Sequence, residues 1–209
     1  MERNPHSTEN MLQGFPEGEA APLYRTYKDG IFRTLFRDKK RLLELYNALN
    51  NTEYTNENDL TVNTLENAIF IKMKNDLSFM IDSHMSLYEH QSSWCPNMAL
   101  RGFFYFADLY KKLLGNADLS IHRRILIPTP HYIVFYNGLE RTREEYTQKL
   151  SQSFEKKGEG CIELTVRIIN VNHGHNPVLM KKCRSLSDYA CFVAKIRKNM
   201  KTMSMEEAV

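Results

Sequence analysis

The sequence predicts an α/β fold, a mixed β-sheet flanked by helices, and three observations predict it. Leu77, Phe79 and Ile81 alternate with Ser78, Met80 and Asp82, the period-2 signature of a strand with one face in a core. Tyr132 to Tyr136, YIVFY, is too apolar for a half-exposed strand and fits one buried on both faces. Met98 to Leu114, MALRGFFYFADLYKKLL, is an aromatic-rich run at helical spacing, so helices and strands alternate along one chain.

Taken in order, residues 1–22 are polar, carry Pro and Gly, lack periodicity and read as a flexible leader, with residues 23–209 as one domain. Ile31, Phe32, Leu35 and Phe36 have helical spacing. Asp38 caps a second helical run in which Leu42, Leu43, Tyr46 and Leu49 face inward. Asn50 to Asn58 is a polar loop, and Leu60 to Met73 fits either a strand or a helix. The hairpin around Asp82-Ser83-His84 follows, then the aromatic helix with Gly115 as its stop.

The YIVFY strand is entered through Pro128 and Pro130 and ended by Asn137-Gly138. Ile162, Leu164, Val166 and Ile168 alternate with polar residues and give a further strand, and Tyr189, Phe192, Val193 and Ile196 mark a late helix. Ser204-Met205-Glu206-Glu207 has the S-x-x-E form that opens a helix, two residues before the chain stops. A domain truncated at a C-terminal helix is the resulting expectation.

Composition bounds the function only loosely. The 209 residues suffice for one well-buried core, and 42% hydrophobic with 25% charged is ordinary for a globular chain. A net charge of +3 permits an acidic partner such as nucleic acid without demanding one. Cys95, Cys161, Cys183 and Cys191 form no CxxC pair, which argues against a zinc ribbon and a disulfide framework. No apolar run approaches the roughly 20 residues of a membrane helix, no signal-peptide pattern opens the chain, and a cytoplasmic protein with no membrane partner is expected.

The candidate chemistry lies at the hairpin's far end. With Ser83 and His84 as the loop, Asp82 faces Met85, Ser78 faces Glu89 and Asp76 faces Gln91, so Asp76, Glu89 and Gln91 share one sheet face. Opposed residues lie about 4.5 to 5.5 Å apart and diagonal ones about 7 to 8 Å, so this spacing lets one cation with ligands at about 2.0 to 2.5 Å join Asp76 to Glu89, while polar strand ends reaching solvent are the alternative. A slip of one residue would separate them. By the same parity His90 points away. His173 and His175 in NHGHN invite a metal reading but lack a third nearby ligand.

The segments YKDGIFRTLF, LLELYNALN, TLENAIFIKMKNDLSF, LYEHQS, NMALR, VFYNG and INVNHGHNP together resemble the recombination-promoting nuclease and putative transposase group of the PD-(D/E)XK nuclease superfamily, known from bacterial proteins. The likeness runs from about Tyr24 to the C-terminus, and its most specific part is EHQS-x4-NMALR. It implies a restriction-endonuclease-like core and a metal-dependent DNA endonuclease associated with recombination or mobile elements. It places Asp76, Glu89 and Gln91 as the catalytic residues, Asp76 and Glu89 as ligands of Mg²⁺ or Mn²⁺ and Gln91 where the superfamily motif has Lys. Asn75 stands where the motif name has Pro.

A Lys would bring positive charge to the attacking water and the phosphate, whereas an amide orients them by hydrogen bonds, which shifts the work onto the metal. Glu66 or Asp29 is the candidate for an additional acidic residue. Arg101 is the candidate DNA-binding residue, ahead of Lys111, Lys112, Arg123 and Arg124, through salt-sensitive phosphate contacts. DNA is the implied partner, with a second copy or a longer homologue as a further one. The alternative reading is a catalytically silent or truncated member acting as a regulatory protein-binding or DNA-binding module.

Overall fold

The computed structural model describes residues 23–63, 77–200 and 202. Two helices open the described chain, α1 (Leu23–Phe36) and α2 (Lys39–Asn50). Asp38 sits at the N-cap of α2 with extended backbone, and its carboxylate accepts a hydrogen bond from the Arg41 backbone N–H, which would otherwise be unpaired. A short strand β1 (Thr61–Asn63) and the hairpin β2 (Leu77–Ile81) and β3 (His84–Gln91) follow. Next come α3 (Met98–Leu114), β4 (Thr129–Tyr136), β5 (Glu145–Lys149), β6 (Thr165–Asn170), α4 (Pro177–Lys182) and α5 (Arg184–Asn199).

The six strands form one mixed sheet in the order β1-β2-β3-β4-β6-β5. β1, β2 and β3 are antiparallel neighbours, β3, β4 and β6 run parallel, and β5 closes the edge antiparallel to β6. A parallel pair needs a long crossover, and α3 supplies it between β3 and β4. The chain is therefore α/β with a mixed sheet flanked by helices, as expected.

Each sheet face carries its own core. Phe32 and Phe36 of α1, Leu42 and Tyr46 of α2, and Leu186, Tyr189 and Val193 of α5 pack on Leu77, Phe79, Tyr88, Phe135 and Ile169. Met98, Ala99, Tyr105, Phe106 and Leu109 of α3 pack on Met85, Leu87, Tyr132, Val134 and Ile168. Tyr132 to Tyr136 is buried on both faces because helices cover both.

Two expectations need correction. The hairpin loop is Asp82-Ser83, not Ser83-His84, because Ile81 pairs with His84 and Met80 with Met85. Asp82 takes the positive-φ turn position, which Asp tolerates better than most residues. Moving the loop by one residue moves the pairing by two, so every side chain keeps its face. The late strand starts at Thr165, after Ile162 and Leu164, and Ile162 is half exposed. The sequence reading also passed over β5, whose EYTQK is polar because it lies at an edge.

The leader at residues 1–22, most of the ambiguous stretch to Met73, and the helix start at Ser204 lie outside the described residues. Among the described residues no helix is long and apolar enough to cross a membrane.

Candidate functional site

Odd-numbered residues of β3 face α3, which puts Glu89 in line with the buried Met85 and Leu87. Glu89 is 1% exposed, an unusual position for a carboxylate unless it is paired. Three donors meet it. Gln91 Nε2 donates to Oε1 at 2.5 Å, the Arg101 guanidinium lies 2.6 Å from the same oxygen, and the Tyr132 hydroxyl donates to Oε2.

Each donor is delivered by a different element. Gln91 shares the β3 face two residues on. Tyr132 comes from β4, where it pairs with Leu87. Arg101 comes from the first turns of α3, and its Nε and Nη2 also donate to the Tyr105 hydroxyl at 3.1 and 2.8 Å, one helical turn on. Gly102 lets the helix approach closely enough, since a Cβ there would overlap the Tyr132 ring. The start of α3 is further tied to the sheet by Gln148 of β5, whose Oε1 accepts from the Met98 backbone N–H at 3.1 Å.

The electrostatics follow from this packing. Burial pushes the Glu89 carboxyl above its ordinary range, while the Arg101 charge and the hydrogen bonds from Tyr132 and Gln91 pull it part of the way back. Burial opposes the Arg101 charge, but the attraction of Glu89 and the contact with Tyr105 outweigh it and raise the guanidinium above its usual value. Arg101 is thus a fixed cation whose side chain, 31% exposed, spans from a buried carboxylate to the surface.

The structure brings Glu89, Gln91 and Arg101 together. Asp76 and Glu66 lie outside the described residues, and Asp29 is described only as backbone of α1. His90 points to the opposite face, where it stacks on Phe32 and its Nε2 lies 2.7 Å from the Tyr189 hydroxyl. His173 is exposed, while His175 Nδ1 lies 3.1 Å from Glu144. Among the described residues no three of His, Cys, Asp and Glu converge as a metal site. Sequence reasoning missed Tyr132 and Tyr105. The i, i+4 spacing of Arg101 and Tyr105 was a legible signal for the second.

The chain matches no family model, no curated protein and no solved structure.

Proposed function

We propose that the chain is a metal-dependent DNA endonuclease of the PD-(D/E)XK type, with a restriction-endonuclease-like core, and that Glu89 anchors its active site. The observation that carries the proposal is Glu89 itself, a buried carboxylate at the C-terminal end of a parallel strand, beside an amide and a half-buried guanidinium. Ligand sites in open α/β sheets favour this end of the strands.

The donor set fits Mg²⁺ or Mn²⁺. Carboxylate and amide oxygens are hard donors, and the three hydrogen bonds to Glu89 take three of the about four lone-pair sites a carboxylate offers. Asp76, outside the described residues, is the proposed second ligand on the alternation of the hairpin sequence. When bound, the metal supplies Lewis acidity that activates water and neutralises charge on the phosphate. Gln91 orients the nucleophile by hydrogen bonding. Arg101 favours the ionised form of Glu89 against the effect of burial and offers its exposed edge to the scissile phosphate. Tyr132 fixes the carboxylate rotamer. DNA is the proposed substrate and partner.

A second reading, a catalytically silent module, is favoured by one observation. Arg101 already neutralises Glu89, so the pair also serves as a buried structural ion pair. Calorimetric titration with Mn²⁺ separates the two readings. The nuclease reading expects one Mn²⁺ site, weakened tenfold or more in both Asp76→Ala and Glu89→Gln. Wild-type protein that binds no Mn²⁺ supports the silent reading.

A further inference from the structure

At the C-terminal ends of β4 and β6, the loops after these strands meet α5 around an open cavity of about 460 Å³. Its lining includes Arg141, His173, Arg197 and Lys198, and no carboxylate among the described residues. We propose that this cavity seats a phosphate group. The site does not depend on Glu89 being catalytic.

Three features argue for a built anion seat over a chance cluster of surface charge. The first is that Arg197 is held in place: its Nη1 donates to Asn172 Oδ1 and its Nη2 to the Asn137 carbonyl. Two of its five N–H groups are used this way, which leaves three donors on a guanidinium that lines the cavity.

The second is that the loop carrying His173 is rigidly set. Asn172 Nδ2 donates to the Gly138 carbonyl at 2.9 Å and to Asn170 Oδ1 at 2.8 Å, tying the β6 exit to the β4 exit. Gly174 takes a positive φ that a side chain would strain, and a Cβ on Gly138 would overlap the Tyr136 hydroxyl, so each glycine permits the path its loop takes. The INVNHGHNP segment, which the Glu89 site does not use, is thereby accounted for.

The third is charge. Arg141 stacks over Trp94 at 4.7 Å, which holds a second guanidinium at the cavity, and Lys198 lies one residue beyond Arg197 on α5. His175 is turned to Glu144, and the nearby cations make a metal at these histidines unfavourable. The cavity opens at the C-terminal ends of β4 and β6, beside the end of β3 that carries Gln91. A phosphate there comes either from a nucleic-acid backbone or from a small phosphorylated molecule.

The test uses the full chain in EDTA, comparing wild type with the double variant Arg141→Ala plus Lys198→Ala and the charge-keeping double variant Arg141→Lys plus Lys198→Arg. Binding of a fluorescein-labelled DNA duplex is followed by anisotropy over a KCl series, and binding of inorganic phosphate and pyrophosphate by calorimetry. The proposal expects at least tenfold weaker binding of a phosphate ligand in the alanine variant and recovery in the charge-keeping one. If the DNA is the ligand, the slope of log K against log salt falls by about 1 for the lost phosphate contact. Loss confined to phosphate or pyrophosphate assigns the seat to a small molecule. Unchanged binding in the alanine variant, equal loss in both variants, or a wild type that binds none of the three ligands overturns the seat. Cleavage lost on mutating Glu89 with this result negative would fault the seat alone.

Discussion

Arg101 Nη2 lies 2.6 Å from Glu89 Oε1, joining the first turns of the crossover helix to the end of a central strand. A charge pair in this position ties the geometry of the candidate site to the stability of the fold.

Removing one partner of that pair leaves a buried charge. Arg101→Met should destabilise the protein by about 3 kcal/mol, the low end for a broken buried pair because Arg101 reaches the surface. Urea unfolding at neutral pH measures it. Near pH 4 the loss should shrink, since Glu89 then takes up a proton.

The raised Glu89 carboxyl also sets a sign for the wild type. The folded state holds this proton more tightly than the unfolded chain, so the resulting stability is present below the ordinary glutamate value of about 4.3 and is lost as pH rises through the folded value. Wild type minus Glu89→Gln, measured by urea unfolding from acid to neutral pH, should fall across that window.

Gly102→Ala places a methyl in the Tyr132 ring. A cost of about 1 to 3 kcal/mol is expected for overpacking, together with displacement of Arg101 from Glu89. Thermal unfolding measures the first, and weaker Mn²⁺ binding reports the second.

Much of this was legible in the sequence where local chemistry decides. The bounds of α3, the Asp38 cap and the shared face of Glu89 and Gln91 follow from periodicity and capping, which need no partner. Even the misplaced loop left parity intact, because Asp82 for His84 at the turn shifts the pairing by two. The roles of Tyr132 and Gly102 were not legible, since they depend on which strand lies beside β3 and how closely α3 approaches it. Neither quantity is local. EYTQK failed for a related reason: an edge strand has no apolar face to announce it.

Thiol reactivity gives an independent check of the packing. Burial pushes the Cys183 thiol up to about 12, whereas Cys161 is exposed. Labelling with Ellman's reagent at pH 8 should modify Cys161 rapidly, and Cys183 only after unfolding, as read by peptide mass spectrometry.

Cleavage of supercoiled plasmid is the decisive measurement for the proposed metal-dependent hydrolysis of DNA at Glu89. Wild type, Asp76→Ala and Glu89→Ala, purified identically, are compared with Mg²⁺, with Mn²⁺ and with EDTA. The wild type should nick the plasmid with either metal and not with EDTA, and both variants should lose at least a hundredfold of that activity. Equal cleavage by all three proteins, or none by the wild type with either metal, would contradict it.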